Sequence, residues 1–138
     1  MFHTIIIVGN VGRDPEMRYT PSGQAVTSFS VATSRQYNNQ AGQLVKETIW
    51  FRVSAWGKQA ESVSQYLKKG NKVLVEGRLN PDPTTGGPRT FQRQDGTTGT
   101  SYEVTAQTVR FLTPKGEGGA PGEEAPEVGA GDTNEIPF

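Results

Sequence analysis

Apolar residues are concentrated in the first 112 positions, where they fall in short runs of alternating character separated by clusters of Gly, Pro, Asn and Thr. An alternation of period two is the mark of a half-buried strand. It predicts strands over Thr4 to Val11, Gln24 to Ser34, Thr48 to Trp56, Asn71 to Leu79 and Ser101 to Leu112. One segment, Lys58 to Lys69, has a different period: Ala60, Val63 and Leu67 recur at three- and four-residue spacing, basic residues fill the last turn, and Gly70 stands as a C-terminal stop. This predicts a helix between the third and fourth strands.

Five short strands with a helix between the third and fourth give an all-β, Greek-key barrel of the OB-fold type. Three polar stretches connect them. Pro15 and Pro21-Ser22-Gly23 bracket Glu16 to Thr20 as a turn-rich connection, Gln36 to Lys46 reads as a hairpin tip, and Asn80 to Thr100 reads as a loop. From Pro114 onward the chain is mostly Gly, Pro, Ala and Glu, with too little apolar surface to offset the entropy of ordering. The expected organisation is therefore one barrel domain, residues 1–113, and a disordered acidic tail, residues 114–138.

Charge divides the same way. Residues 1–113 carry 13 of the 14 Lys and Arg but only 8 of the 14 Asp and Glu, whereas the remainder carries Lys115 against six acids. A basic body with an acidic extension suggests an anionic partner for the body, and nucleic acid is the first candidate. Cysteine is absent and His3 is the only histidine, which excludes disulfides, thiol catalysis, Cys/His zinc sites and imidazole-based triads. No Walker loop, HExxH or GxSxG is present, and Asp14 and Glu16 read as turn and surface residues. No metal or other cofactor is expected. The chain has no apolar run long enough to cross a bilayer and no secretory leader, so a soluble, non-secreted protein is expected.

The segment Thr48 to Gly57 carries the most chemistry. Alternation puts Phe51, Val53 and Ala55 on one face and Trp50, Arg52, Ser54 and Trp56 on the other. Both tryptophans thus share a face with an arginine, as in a platform that stacks bases and contacts phosphates. The competing reading makes them core or subunit-interface residues. Tyr37 lies near Arg35, and Phe91 lies between Arg89 and Arg93, giving further pairings of ring with cation. Lys46, Lys58, Lys68, Lys69, Lys72 and Arg78 are dispersed, as along a track for a wrapped strand. The last residues, Asp132 to Phe138, end in Ile136, Pro137 and Phe138, the form of a short docking peptide.

Several segments together resemble the bacterial single-stranded-DNA-binding protein family: Ile7 to Tyr19, Phe29 to Ser34, Trp50 to Val53, Trp56 to Lys58, Tyr66 to Gly70, Val75 to Arg78 and Ile136 to Phe138. The resemblance implies an OB-fold homotetramer in the bacterial cytoplasm, associated with the nucleoid. It would wrap single-stranded DNA and dock replication, recombination and repair enzymes through its tail. The stacking aromatics would be Trp50, Trp56, Tyr37 and Phe91, with basic contacts from Arg52, Lys58 and Lys69 beside Arg35 and Arg93. Partner docking would use Asp132, Glu135, Ile136, Pro137 and Phe138. Three departures stand out. Phe51 occupies a position where many members have histidine near the subunit interface, the tip has only Asp132 and Glu135 as acids, and the insert Pro81 to Pro88 has no motif. Two other readings predict different behaviour: an adaptor that touches DNA only weakly, and a nuclease built on Asp14 and Glu16.

Overall fold

The computed structural model describes residues 1–114, so the expected acidic tail and its tip lie outside the described residues. In chain order the elements are β1 (Ile5–Val11), β2 (Glu16–Tyr19), β3 (Ala25–Asn38), β4 (Leu44–Trp56), α1 (Lys58–Tyr66), β5 (Lys72–Asn80), β6 (Arg89–Gln92) and β7 (Thr98–Phe111).

Five strands, in the order β1, β5, β7, β4, β3, make the sheet, and β3 returns to β1 through Asn10↔Ala32 and Val11↔Val31. The result is a closed barrel. Its pairings are antiparallel except between β4 and β7, which run parallel from Phe51↔Tyr102 to Ser54↔Thr105. With α1 between the third and fourth barrel strands, this is the expected OB-fold. The core follows from the alternation: Ile7, Phe29, Val31, Phe51, Val53, Val73, Val75 and Val104 all point inward and are buried. From α1, Ala60 and Val63 close one end of the barrel. Thr27 ties that helix to β3, its buried hydroxyl donating to the Ala60 carbonyl at 2.7 Å. At two seams the backbones approach too closely for any side chain. A Cβ on Gly9 would meet the Ala32 carbonyl oxygen, and one on Gly77 that of Thr105, beside the irregularity in β5.

Four boundaries differ from the sequence expectations. The helix ends at Tyr66 because Leu67 turns to extended backbone (φ −87°, ψ 134°) and drives its side chain into the core, where it is 1% exposed. Lys68 and Lys69 therefore lie beyond the helix. They belong to a tight turn closed by Asn71, whose N–H donates to the Lys68 carbonyl at 3.0 Å and whose Oδ1 accepts from Lys68 N–H at 2.9 Å. Gly70, at φ +89°, serves this turn and does not stop the helix.

Residues 16–19 are a strand, β2, paired along Ala25–Ser28 of β3, with every side chain exposed. The expected tip over 36–46 is mostly strand too. Here β3 and β4 stay paired out to Asn38↔Leu44, and only Asn39 to Gln43 turn, with Asn39 Oδ1 accepting from the N–H groups of Ala41 and Gln43. Within the expected loop 80–100, β6 folds back on β7. The insert before it is closed by Asp82: Thr84 N–H donates to Oδ1 and Gly86 N–H to the carbonyl, each at 2.8 Å.

Candidate functional site

The site is built on the outward face of β4. Its inward residues Phe51, Val53 and Ala55 are 8%, 0% and 0% exposed, while Trp50 and Trp56 are 53% and 40% exposed and Arg52 between them is open to solvent. The neighbouring strand β3 sets small side chains beside the first part of this row, Ala32 opposite Trp50, Ser30 opposite Arg52 and Ser28 opposite Ser54, and the buried Val26 opposite Trp56. A trough of small residues thus flanks the row from Trp50 to Ser54.

Around Trp50 the trough becomes a groove. Trp50, Arg52 and Ser30 form its floor, Gly12 and Arg13 from the β1–β2 connection one wall, and Phe91 with Thr100 and Ser101 of the β6–β7 hairpin the other. Arg13 and Arg52 also line an adjoining depression with Ser28 and Ser30, where Asp14 and Glu16 bring two carboxylates. Among the described residues neither Arg13 nor Arg52 takes part in an ion pair. Two exposed rings and two unpaired guanidiniums along one trough suit an extended polyanion that carries planar rings.

The expected residues distribute unevenly over this surface. Trp50, Arg52 and Phe91 meet in one groove. Trp56, six residues along the same strand, stands about 20 Å further on by strand geometry, with Lys58 exposed just past it at the start of α1. Lys69 is tied by its backbone to the edge of the adjoining depression, its N–H donating to Asp14 Oδ1 at 2.9 Å. Asp14 is thus a structural acceptor.

Arg93 lies over the Phe91 ring, 5.6 Å from its centroid, and Nη1 donates to the Thr98 carbonyl at 3.0 Å. Its neighbour Arg89 is 3.4 Å from Glu103 Oε1.

Tyr37 and Arg35 are not in this groove. They share the parity of the inward-facing Val31, so beyond the barrel rim they occupy the face of the β3–β4 hairpin opposite to Trp50. There Arg35 packs 4.7 Å from the Tyr37 centroid, and its Nε donates to Glu47 Oε1 at 2.8 Å. The hydrogen bond from Arg35 holds the Glu47 carboxyl below its usual pKa, and the same bond raises that of Arg35. Tyr37 is 38% exposed. Arg35, expected as a contact cation, already has an anionic partner.

Sequence reasoning missed Arg13, which reads as part of a Gly-Arg-Asp-Pro turn and gains meaning only when β1 is laid beside β3. It also missed the serines of β3, whose register against β4 is a tertiary fact. Asp132, Glu135, Ile136, Pro137 and Phe138 lie outside the described residues. Among the described residues no cluster of three or more potential ligands could hold a metal ion, and no helix is long and apolar enough to cross a membrane.

Comparison with known proteins bears on the same residues. A chain of a solved structure, the Plasmodium falciparum SSB complex with ssDNA, superposes with a TM-score of 0.65 over 81% of this chain and 96% of its own length. At 23% identity the likeness is one of fold. The Single-stranded DNA-binding protein of Neisseria meningitidis is 43% identical over 122 residues, 87% of this chain and 66% of the relative. That of Halalkalibacterium halodurans is 37% identical over 134 residues, 97% of this chain and 74% of the relative. The chain thus spans about two thirds of the length of such relatives. The profile of the Single-strand binding protein family matches residues 2–112, which takes in the whole barrel and every wall of the groove; the chain belongs to that family.

Proposed function

We propose that this protein binds single-stranded DNA without sequence preference, holding it by stacking and by phosphate contact along the outward face of β4. The observation that carries the reading is the split along that strand. Its inward residues are all buried, and both tryptophans, with Arg52 between them, are left in solvent. Leaving two large aromatics exposed forgoes the stabilisation of burying them, and a ligand with planar rings recovers it. Bases stack on Trp50 and Phe91, Arg13 and Arg52 neutralise the flanking phosphates, and the strand continues toward Trp56, Lys58 and Lys69. Stacking tolerates any base because every base has a π-face. In this reading the protein is not an enzyme and uses no cofactor.

Assembly as a homotetramer belongs to the same reading, and the edge of β1 supports it. From Ile5 to Gly9 this strand is paired on one side only, by β5, and Ile6 and Val8 are 61% and 48% exposed. An apolar strand edge left open is a template for pairing with another chain. The acidic segment from 114 to 138 is assigned the recruitment of replication, recombination and repair proteins, with Ile136, Pro137 and Phe138 as the docking tip.

The test is tryptophan fluorescence during titration with oligo-dT, repeated over a range of salt. Strong quenching that saturates at a fixed number of nucleotides supports the platform. A flat signal with no change in polarisation of a labelled oligonucleotide rejects it.

A further inference from the structure

We infer that Gly12 and Gly99 are positioning residues, the seats on which the two groove aromatics rest, and that the missing Cβ at each sets the tilt at which its ring meets a base. The inference rests on the single-stranded-DNA reading and refines it.

Glycine is required in a protein for one of two reasons, a backbone conformation that other residues resist or a space that a Cβ would fill. At Gly12 and Gly99 the first reason is absent, because neither is among the glycines with positive φ. The second is present at both. A Cβ at Gly12 would stand 2.5 Å from Trp50 Cζ3 and 2.9 Å from Cη2, and one at Gly99 would stand 2.7 Å from Phe91 Cζ and 2.8 Å from an Arg93 guanidinium nitrogen.

The neighbours explain why these two differ from Gly9 and Gly77. Those two face backbone carbonyl oxygens of the next strand, so what they protect is the closure of the barrel. Gly12 and Gly99 face the far ends of side chains that are half in solvent, Trp50 at 53% and Phe91 at 47% exposure. Such a side chain can swing away with little loss of packing. An alanine at position 12 is therefore cheap for the fold and costly for the site, since the indole must leave the wall it lies against. Gly12 lines one side of the groove and Phe91, the ring that rests on the buried Gly99, lines the other. Each ring lies against a glycine backbone, which sets how far it can lean toward its own side of the groove.

The experiment is a double-mutant cycle on the full chain between Gly12→Ala and Trp50→Phe, read by oligo-dT affinity, by the extent of tryptophan quenching and by thermal melting. The phenyl ring does not reach the Cζ3 and Cη2 positions, so it relieves the clash. The expected result is that Gly12→Ala weakens binding about fivefold or more, the low end of one stacked base, and changes the quenching, while the melting temperature stays close to that of the parent. In the Trp50→Phe background the same substitution has no further effect. Gly99→Ala gives a parallel loss of affinity, with a lower melting temperature because the Arg93 guanidinium, bonded to Thr97 and Thr98, must also move. An unchanged affinity in Gly12→Ala, or an equal loss in both backgrounds, overturns the inference while the parent's own binding leaves the single-stranded-DNA reading intact. Failure of the parent to bind oligo-dT removes both together.

Discussion

Arg35 Nε stands 2.8 Å from Glu47 Oε1 across the β3–β4 hairpin, and Tyr37 Oη donates to the other oxygen of that carboxylate at 3.4 Å. The arrangement keeps the Tyr37 ring and the guanidinium together, and it spends the arginine's charge on a neighbour instead of a phosphate.

Replacing Glu47 with Gln is accordingly expected to strengthen binding. It frees Arg35 and removes an anion from the hairpin, so the log–log salt slope becomes steeper by up to about 0.7, one more phosphate neutralised on a single strand. Its pH dependence has a definite sign. The Glu47 pKa is lowered in the fold, first by the hydrogen bond from Arg35, so the pairing is complete above the ordinary carboxylate range and is lost as pH falls through the depressed value. From about pH 6 to 8 the parent and the Gln variant should therefore keep a constant difference, well above the ordinary glutamate pKa near 4.3. A Gln variant with the parent's slope would show that Arg35 does not reach the strand.

Trp50→Ala and Trp56→Ala each lose the stacking of one base, about 1–3 kcal/mol of binding free energy. The two rings are some 20 Å apart on one strand, too far to share a base, so the losses should add. Both rings are part-covered, 53% and 40% exposed, so each truncation also lowers the melting temperature, and affinities are compared well below it, where every variant is folded. Titration with oligo-dT of the single and double variants checks this, and affinities that match the parent's would locate the binding surface elsewhere.

The barrel was legible because its strands have a wet side and a dry side. Residues 50–56 alternate so cleanly that their register on the core was fixed before any tertiary information. What escaped were elements without that contrast. β2 and β6 are exposed at every residue, so no periodicity marks them, and the distal halves of β3 and β4 project past the core with solvent on both sides. The helix end was lost for the converse reason. Leu67 keeps the helical apolar spacing and reaches the core, but from extended backbone. In the candidate site, alternation placed Trp50, Trp56 and Arg52 on one outward face, because they lie on one strand. It could not find Arg13 or the meeting of Trp50 with Phe91, because those depend on which strands are neighbours. Nor could the nearness of Tyr37 and Arg35 in sequence reveal that the hairpin turns them to its other face.

Arg13→Ala and Arg52→Ala should each reduce the salt slope by about 0.7 and weaken binding to every oligonucleotide alike, because a phosphate contact carries no sequence information. Lys72→Ala is the comparison. Its backbone is used at the β5 start, where Lys72 N–H donates to Thr113 Oγ1 at 2.7 Å, and its exposed side chain is not among those that line the groove. Salt titrations in which all three behave alike would mean that the cations act as a diffuse field and not as the contacts of a groove.

Gly77→Ala separates the fold from the site in the opposite direction to a change at Gly12. A Cβ at position 77 would run into the Thr105 carbonyl oxygen, where the β5–β7 register slips between Glu76 and Gly77. A backbone oxygen inside a ladder cannot swing aside as a half-exposed indole can, so the two strands must part. Strain of this kind typically costs about 1–3 kcal/mol and more where the backbone has no room to adjust. The effect should appear as a lower urea midpoint with an unchanged slope. The affinity for oligo-dT of the molecules that remain folded should stay close to the parent's, since none of the groove walls rests on Gly77. If stability were unaltered, the closeness of β5 and β7 at this seam would not be what keeps a side chain out.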